Sequence, residues 1–416
     1  MMSTTEIIRE LAADVESAWR QSDYDEATFV DVAAECLARP LDLDFSSLAH
    51  AICEGAPLPP QRRTDQGFGE PALTLYGDDR FLIEAYCWHT GTPAIHQHAF
   101  SGAFRILTGR SVHSRYTFTG SENLHGLRLG HLRLQSVELL DRSHVTRIPK
   151  GSGLIHAAFH LDSPSMTLVV RTRQGTEPEP TYLPPGVAYD TSVRSHELHK
   201  RLQLLDLLNR TEHESYVDCM RAAVQHSDAY DGMACLLRAA AHRMDEETFL
   251  SFAELFTQRH GARMHQVGLA VVEERRRIAL ISLRADATDP GFRFFLACLL
   301  SFFERRSLFD AMEQFWGDPA RAREEVACGV STLLGGDADR RIVTNAVTRA
   351  WIESVSPGAF PEWASKTWGR TLTDAERGHL SRFCQYVRAH PLLHPLTECG
   401  PDGSGGSPVN GGCSSS

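Results

Sequence analysis

Paired cysteines, membrane-length apolar runs, an excess of basic residues and internal repeats are all missing from this sequence, and each absence removes a class of function. The ten cysteines form no C-x-x-C pair, and most stand in apolar surroundings such as "MACLLRAA" and "FFLACLLSFF". That usage reads as buried free thiols in a reducing compartment, not as a disulfide framework. No apolar stretch approaches the ~20 residues that a membrane span requires, so no membrane partner is expected. The N-terminus, "MMSTTEIIRELAADVESAW", has no basic segment followed by an apolar run, which speaks against a secretory signal and for a cytoplasmic protein. A formal net charge of −11 speaks against a general nucleic-acid role. The local basic stretch "EERRRIAL" lies in a helical pattern and reads as a solvated face. No fixed repeat period supports a solenoid.

What is present is ordinary for a globular chain of two or three domains: 416 residues, 42% hydrophobic and 23% charged. Residues 5–20 and 25–38 have helical spacing, with Ser22 or Asp25 as caps. A Pro/Gly loop, "GAPLPPQRRTDQGFGEP", follows. From residue 72 the period changes. "LTLYGDDRFLIEAYCW" reads as a hairpin turning at Gly77-Asp78-Asp79, and strand-like runs follow at 103–107, 111–118, 126–140, 144–149, 153–160 and 166–173. Many short strands with turn signals suggest a sandwich or barrel. "GTEPEPTYLPPG" reads as a boundary. Beyond it the chain is helical, with eight or nine helices to residue 390. Pro319 after Asp318 marks one helix start, Thr373 to Glu376 forms a capping box, and Gly335-Gly336 ends one helix before Asp337 caps the next. The expected organisation is α+β and multidomain: N-terminal helices over 1–70 packing on a barrel over 71–190, an all-α domain over 195–396, and a disordered Gly/Ser tail over 397–416 carrying Cys399 and Cys413.

The stretch "PAIHQHAFSGAFRILTG" holds two histidines, His96 and His98, two residues apart in a strand-like run. Residues i and i+2 of a strand project from one face, so the pair is either a polar surface face or two ligands of a metal. A third imidazole is offered by "IPKGSGLIHAAFH", where His156 follows a Pro/Gly turn.

The H-x-H pair, Gly102 and Gly109, and then Pro149-Lys-Gly151 before His156 resemble the two sequence motifs of the cupin superfamily. The resemblance covers roughly residues 72–175 and implies a jelly-roll-like β-barrel with a metal site. The chain departs from the pattern in three ways. The glutamate ligand's usual position is Gly102. Two extra residues stand between Gly151 and His156. His160 replaces the usual asparagine. A three-histidine set, His96, His98 and His156, resembles the cysteine dioxygenase branch, and so do "CWHTGTPAIHQH" and "GSGLIHAAFH". That branch holds its substrate carboxylate with an arginine upstream of the first motif, and "GEPALTLYGDD" has none. The histidine and tyrosine that this branch carries beyond its third ligand fall at Arg171 and Arg173.

By that resemblance the chain keeps the metal chemistry and changes the substrate. The implied cofactor is Fe(II), with Zn, Ni or Mn as alternatives. Three facial imidazoles leave open positions for substrate and O2. Arg171 and Arg173 share one face of "MTLVVRTR", which would point into the barrel and need an anionic partner, whether substrate or acidic side chain. Candidates around the metal are Trp88, Arg105, His113 and His160, each also readable as core or as a solvated strand face. The helical half offers no second metal site. Its one E-x-x-H pair, Glu376 and His379, shares its glutamate with the capping box, and the histidines of "HELH" have no partners. The helical domain is then a lid, a homodimer contact or a surface for a protein partner. The functional expectation is an O2-dependent iron oxygenase acting on a small anionic or thiol-bearing substrate. The alternatives are a metal- or ligand-sensing cupin without turnover and a non-redox isomerase or lyase.

Overall fold

The computed structural model describes residues 2–61, 69–91, 94–142, 144–173, 175 and 178–397. Cys399 and Cys413, and nearly all of the expected tail, lie outside them.

The chain starts with three helices, α1 (Thr4–Arg20), α2 (Glu26–Ala38) and α3 (Phe45–Cys53). Ser3 and Glu6 form a capping box on α1, and the Asp25 carboxylate caps α2. Ile8, Leu11, Val15 and Trp19 make one apolar stripe on α1, which α2 continues with Phe29, Ala33 and Leu37. The stripe closes over a five-stranded antiparallel sheet ordered β1 (Ala72–Gly77), β2 (Phe81–Trp88), β9 (Ser165–Thr172), β4 (Gly102–Thr108), β7 (Val145–Ile148). Alternation sorts the sheet's faces. Phe81, Ile83, Leu168 and Val170 meet the helices, while Tyr86, Phe104, Ile106 and Val169 face the barrel interior.

Opposite stands a second sheet built on β3 (Ile95–His98), β8 (Gly151–His160), β5 (Ser111–Leu124) and β6 (Leu127–Leu140). A short hairpin, β10 (Thr181–Leu183) and β11 (Val187–Tyr189), joins β3 to β6 and closes a six-stranded ring. The later part of the stretch read from sequence as a boundary, from Thr181 on, therefore belongs to this hairpin, with Pro184-Pro185-Gly186 at its turn. The ring encloses Ile95, Tyr116, Leu132, Ile155, Tyr182 and Ala188. The strand runs expected from sequence all correspond to strands, and the fold is the expected class: a jelly-roll-like antiparallel barrel with N-terminal helices, followed by an all-α region.

Five helices, α4 (His196–Arg210), α5 (Tyr216–His226), α6 (Ala229–Ala240), α7 (Glu246–His260) and α8 (His265–Asp286), bury their apolar faces in one core with Leu127, Leu129, Leu183 and Val187 of the barrel. They belong with it to one compact unit, Met1–Pro290, and a second unit begins at Gly291. "EERRRIAL" is no solvated face. Arg276 and Arg277 are buried in α8, where Glu273 and Glu274 pair with them one turn away.

The second unit holds α9 (Pro290–Ser301), α10 (Arg305–Trp316), α11 (Pro319–Leu334), α12 (Ala338–Ile352), α13 (Phe360–Trp368) and α14 (Asp374–Ala389). The caps expected at Asp318, Asp337 and Thr373 are formed. Gly329 of α11 lies so close to α9 that a Cβ would stand 2.4 Å from the Phe295 ring. Beyond residue 194 the described residues carry eleven α-helices where eight or nine were expected, because short helices such as α5 and α6, parted only by Ser227-Asp228, share one apolar periodicity. No helix among the described residues is long and apolar enough to cross a membrane.

The β5–β6 turn tests how the helices dock on the barrel. Gly126 has φ +69°, and a Cβ there would stand 2.6 Å from both Tyr230 and Val193. Gly126→Ala should cost about 2 kcal/mol, from the left-handed backbone plus the overpacking. Urea unfolding followed by circular dichroism should show the midpoint falling. An unchanged midpoint would contradict this packing.

Candidate metal centre

His96 and His98 project from the same side of β3, toward the five-stranded sheet. His96 pairs in register with His156, and His98 with Gly151. Ser152 to Ile155 therefore stand against Gln97 alone, and the pairing bulges. The bulge absorbs the extra residues seen between Gly151 and His156 in the sequence, and it swings the His156 ring back toward β3. The ligand atoms of His96, His98 and His156 all lie within 4.8 Å of one another, and among the described residues no other such cluster forms.

The nitrogen chemistry fits a bound cation. His98 Nε2 and His156 Nε2 are 2.9 Å apart. Two imidazole nitrogens at right angles on one metal, each about 2.1 Å from it, stand about 3 Å apart. The outer nitrogens are oriented to suit. His96 Nδ1 donates to the Ala94 carbonyl at 2.8 Å, and His156 Nδ1 meets His113 Nε2 at 2.8 Å. The carbonyl contact puts the His96 proton on its outward Nδ1, and the imidazole contact engages the outward nitrogen of His156, so in both rings Nε2 is the nitrogen turned toward the cluster. Burial first, and then the neighbouring imidazole His96, hold His98 and His156 well below the usual histidine range, so both are neutral at pH 7 as ligands must be.

The centre leans on an aromatic wall. The Phe100 ring packs 4.6 Å from His98, and Phe104 stacks 6.2 Å from His156. His96 as a residue is half-buried, while its Nε2 is buried with the other two rings. The position where the family pattern has glutamate cannot hold one. A Cβ on Gly102 would lie 2.2 Å from the Val170 carbonyl oxygen, because β4 and β9 are pressed together there.

Other candidates are placed unequally. His113 is fully buried, pushed down to about 3 by burial and by Arg115, and supports His156 directly. Arg171 faces the interior as expected, but its anionic partner is Glu84, whose Oε2 accepts from Arg171 Nε at 2.6 Å and from the Tyr86 hydroxyl at 2.8 Å. The Arg171 guanidinium lies over the Phe100 ring, 4.5 Å from its centroid, so that ring stands between the arginine and His98. Arg173 does not face the metal. It lies one residue beyond the end of β9, where alternation no longer applies, and its exposed guanidinium binds the Asp78 carbonyl. Arg105 also turns away, donating to the Leu37 carbonyl at 2.8 Å. His160 is buried at the far end of β8, stacked on Trp88 at 4.9 Å and bonded through Nδ1 to Ser111 at 2.9 Å. It is not part of the three-histidine cluster.

Two residues that grip the loop before β3 escaped the sequence reading. Burial alone would raise the Glu70 carboxyl, but bonds from the Thr90 hydroxyl and from the N–H groups of Gly91, His89 and Thr90 draw it down to about 2. From the other side Arg284 of α8, fully buried, donates to the carbonyls of His160, His89 and Thr90. The loop is thus gripped through both its donors and its acceptors. Neither residue carries a motif that sequence spacing could reveal.

No protein-family model and no curated protein matches the chain. Several solved structures are similar over part of it. A structure of the DMSP lyases RdDddP and RnDddQII is 18% identical over 32% of this chain and 64% of that one, with a TM-score of 0.22. A cupin superfamily protein from Desulfitobacterium hafniense is 16% identical over 28% of this chain and 93% of that one, at 0.17. An oxalate oxidase in complex with the substrate analogue glycolate is 13% identical over 43% of this chain and 64% of that one, at 0.20. The chain thus spans just under two thirds of the first and third of these. At such identities and scores none of them lends this chain an activity, a substrate or a metal.

Two outcomes follow from the geometry. His113→Ala should weaken metal binding roughly 10–100-fold, the usual cost of losing a ligand's supporting partner, while the fold persists. Competition with a chelator of known affinity measures this, and an unchanged dissociation constant would remove His113 from the site. His160, pushed down to about 3 by burial and then by Arg284, stays neutral in the fold while the unfolded residue protonates near 6.5. Its contribution to stability is full above pH 6.5 and is lost as pH falls toward 3, at about 1 kcal/mol per pH unit. Urea midpoints at pH 7 and 5.5 should converge in His160→Phe relative to the parent. Equal pH sensitivity in both proteins would contradict the assignment.

Proposed function

We propose that the chain is a mononuclear non-haem iron enzyme that uses O2 on a small substrate bearing a thiol, amine or carboxylate. The observation that carries this reading is the convergence of three neutral imidazole donors, with no carboxylate in the cluster, against an aromatic wall inside the barrel. Fe(II) held by His96, His98 and His156 would keep its full positive charge and offer open positions where an anionic substrate group and O2 bind side by side.

The protein's own residues would do the rest. Ala94 and His113 hold the outer nitrogens of His96 and His156, fixing the ring orientation of both and the tautomer of His96. Phe100 and Phe104 keep water from the inner side. Arg171, neutralised by Glu84, is a positioning residue for Phe100 and does not itself anchor the substrate anion. Glu70 and Arg284 hold the loop leading into β3.

The test is O2 uptake by protein loaded anaerobically with Fe(II), across small thiols, amino acids and oxo-acids. At least one class should stimulate uptake, and His96→Ala should abolish it. Turnover supported equally by Zn(II) would overturn the oxygenase reading in favour of a lyase or isomerase. Saturable ligand binding with no turnover under any metal would overturn it in favour of a sensor.

A further inference from the structure

Behind the metal-ligand strand the ring of β3, β8, β5, β6, β11 and β10 opens into a cleft of about 310 Å³. It lies on the opposite face of β3 from the histidines. Ile95 and Gln97 project that way by strand alternation, and Tyr182 of the cleft stands opposite Ile95 in the β10–β3 pairing. The Tyr182 hydroxyl donates to Gln97 Oε1 at 2.5 Å and accepts from Arg128 Nη2 at 3.4 Å. Phe118 and Tyr182 form two aromatic walls, with ring centroids 5.2 Å apart and planes at 59°. The Arg128 guanidinium lies 5.7 Å from the Phe118 centroid. Ser152, carried into the lining by the β8 bulge, adds a hydroxyl.

The charges in the cleft are unequal. Glu122, the acid of the lining, is taken by Arg263 at 3.0 Å. Arg128 is half-buried, and among the described residues no carboxylate pairs with it. Its one hydrogen-bond partner, Tyr182, is neutral and itself bonded to Gln97, so the guanidinium charge stays uncompensated. An uncompensated guanidinium beside two aromatic faces, in a space of small-molecule size, matches one chemistry: a carboxylate on a planar apolar body.

We propose that this cleft is a binding site for a small aromatic or similarly planar carboxylate, separate from the metal centre. The carboxylate pairs with Arg128, and the ring lies against Phe118 and Tyr182.

Benzoate is the probe and benzamide its uncharged counterpart, with titration calorimetry on full-length protein stripped of metal by chelation. Benzoate should bind saturably without metal, and benzamide at least tenfold more weakly. Arg128→Met should lose at least tenfold in benzoate affinity while keeping the parent's melting midpoint and metal stoichiometry, and Arg128→Lys should fall between them. Phe118→Leu should weaken both probes together. Equal benzoate affinity in Arg128→Met and the parent would overturn the proposal. So would benzoate binding that appears only when metal is loaded, since that places the probe at the histidines. The absence of saturable binding would also overturn it.

Discussion

Two imidazole nitrogens held 2.9 Å apart in a barrel interior set the terms for everything around them. If both present lone pairs they repel. If one carries a proton the contact is a hydrogen bond between two rings, which does not engage the third imidazole of the cluster. A divalent cation satisfies all three donors at once. The surrounding features then read as answers to one requirement, that unprotonated nitrogens converge and stay converged. The β8 bulge brings His156 back toward β3. The Ala94 carbonyl and His113 fix which nitrogen faces inward. Phe100 and Phe104 limit the water that would otherwise compete for the ligand sites.

The support reaches well beyond the barrel. Glu70 grips the loop before β3 by its N–H groups, and Arg284 of α8 grips the same loop by its carbonyls while also holding the end of β8. A helix far along the chain therefore helps set the approach to the first ligand. This explains why α4–α8 belong to the same compact unit as the barrel. Arg284 meets three backbone carbonyls, which suits a fork of rigid donors better than a single ammonium. On the inner face of the five-stranded sheet, Glu84 balances Arg171, so the barrel interior gains a buried ion pair without a net charge beside the histidines.

Local periodicity made much of this legible in sequence, and partners across space marked its limit. The period-2 runs located the strands, and H-x-H with the later His156 located the three histidines that cluster, because both signals are carried by neighbouring residues. Gly102 could be read as a missing ligand, but only the pressed β4–β9 contact shows why a side chain is excluded. Arg171 could be read as an inward charge in need of an anion, while its partner Glu84 lies on another strand in an unremarkable run. Arg173 was misread because the strand ends one residue before it. "EERRRIAL" looked solvated because pairing with Glu273 and Glu274 and cover by the barrel are invisible to a charge count. The β10–β11 hairpin was hidden by its own turn, since prolines and glycines mark a tight hairpin and a linker alike.

The central claim is that His96, His98 and His156 together ligate one metal. X-ray absorption at the metal edge of Fe(II)-loaded protein tests it most directly. The predicted result is a scattering pattern of three imidazoles through nitrogens at about 2.1 Å, with one metal per chain and one imidazole fewer in His98→Ala. A metal with no imidazole scattering, or a first shell unchanged in His98→Ala, would contradict the account.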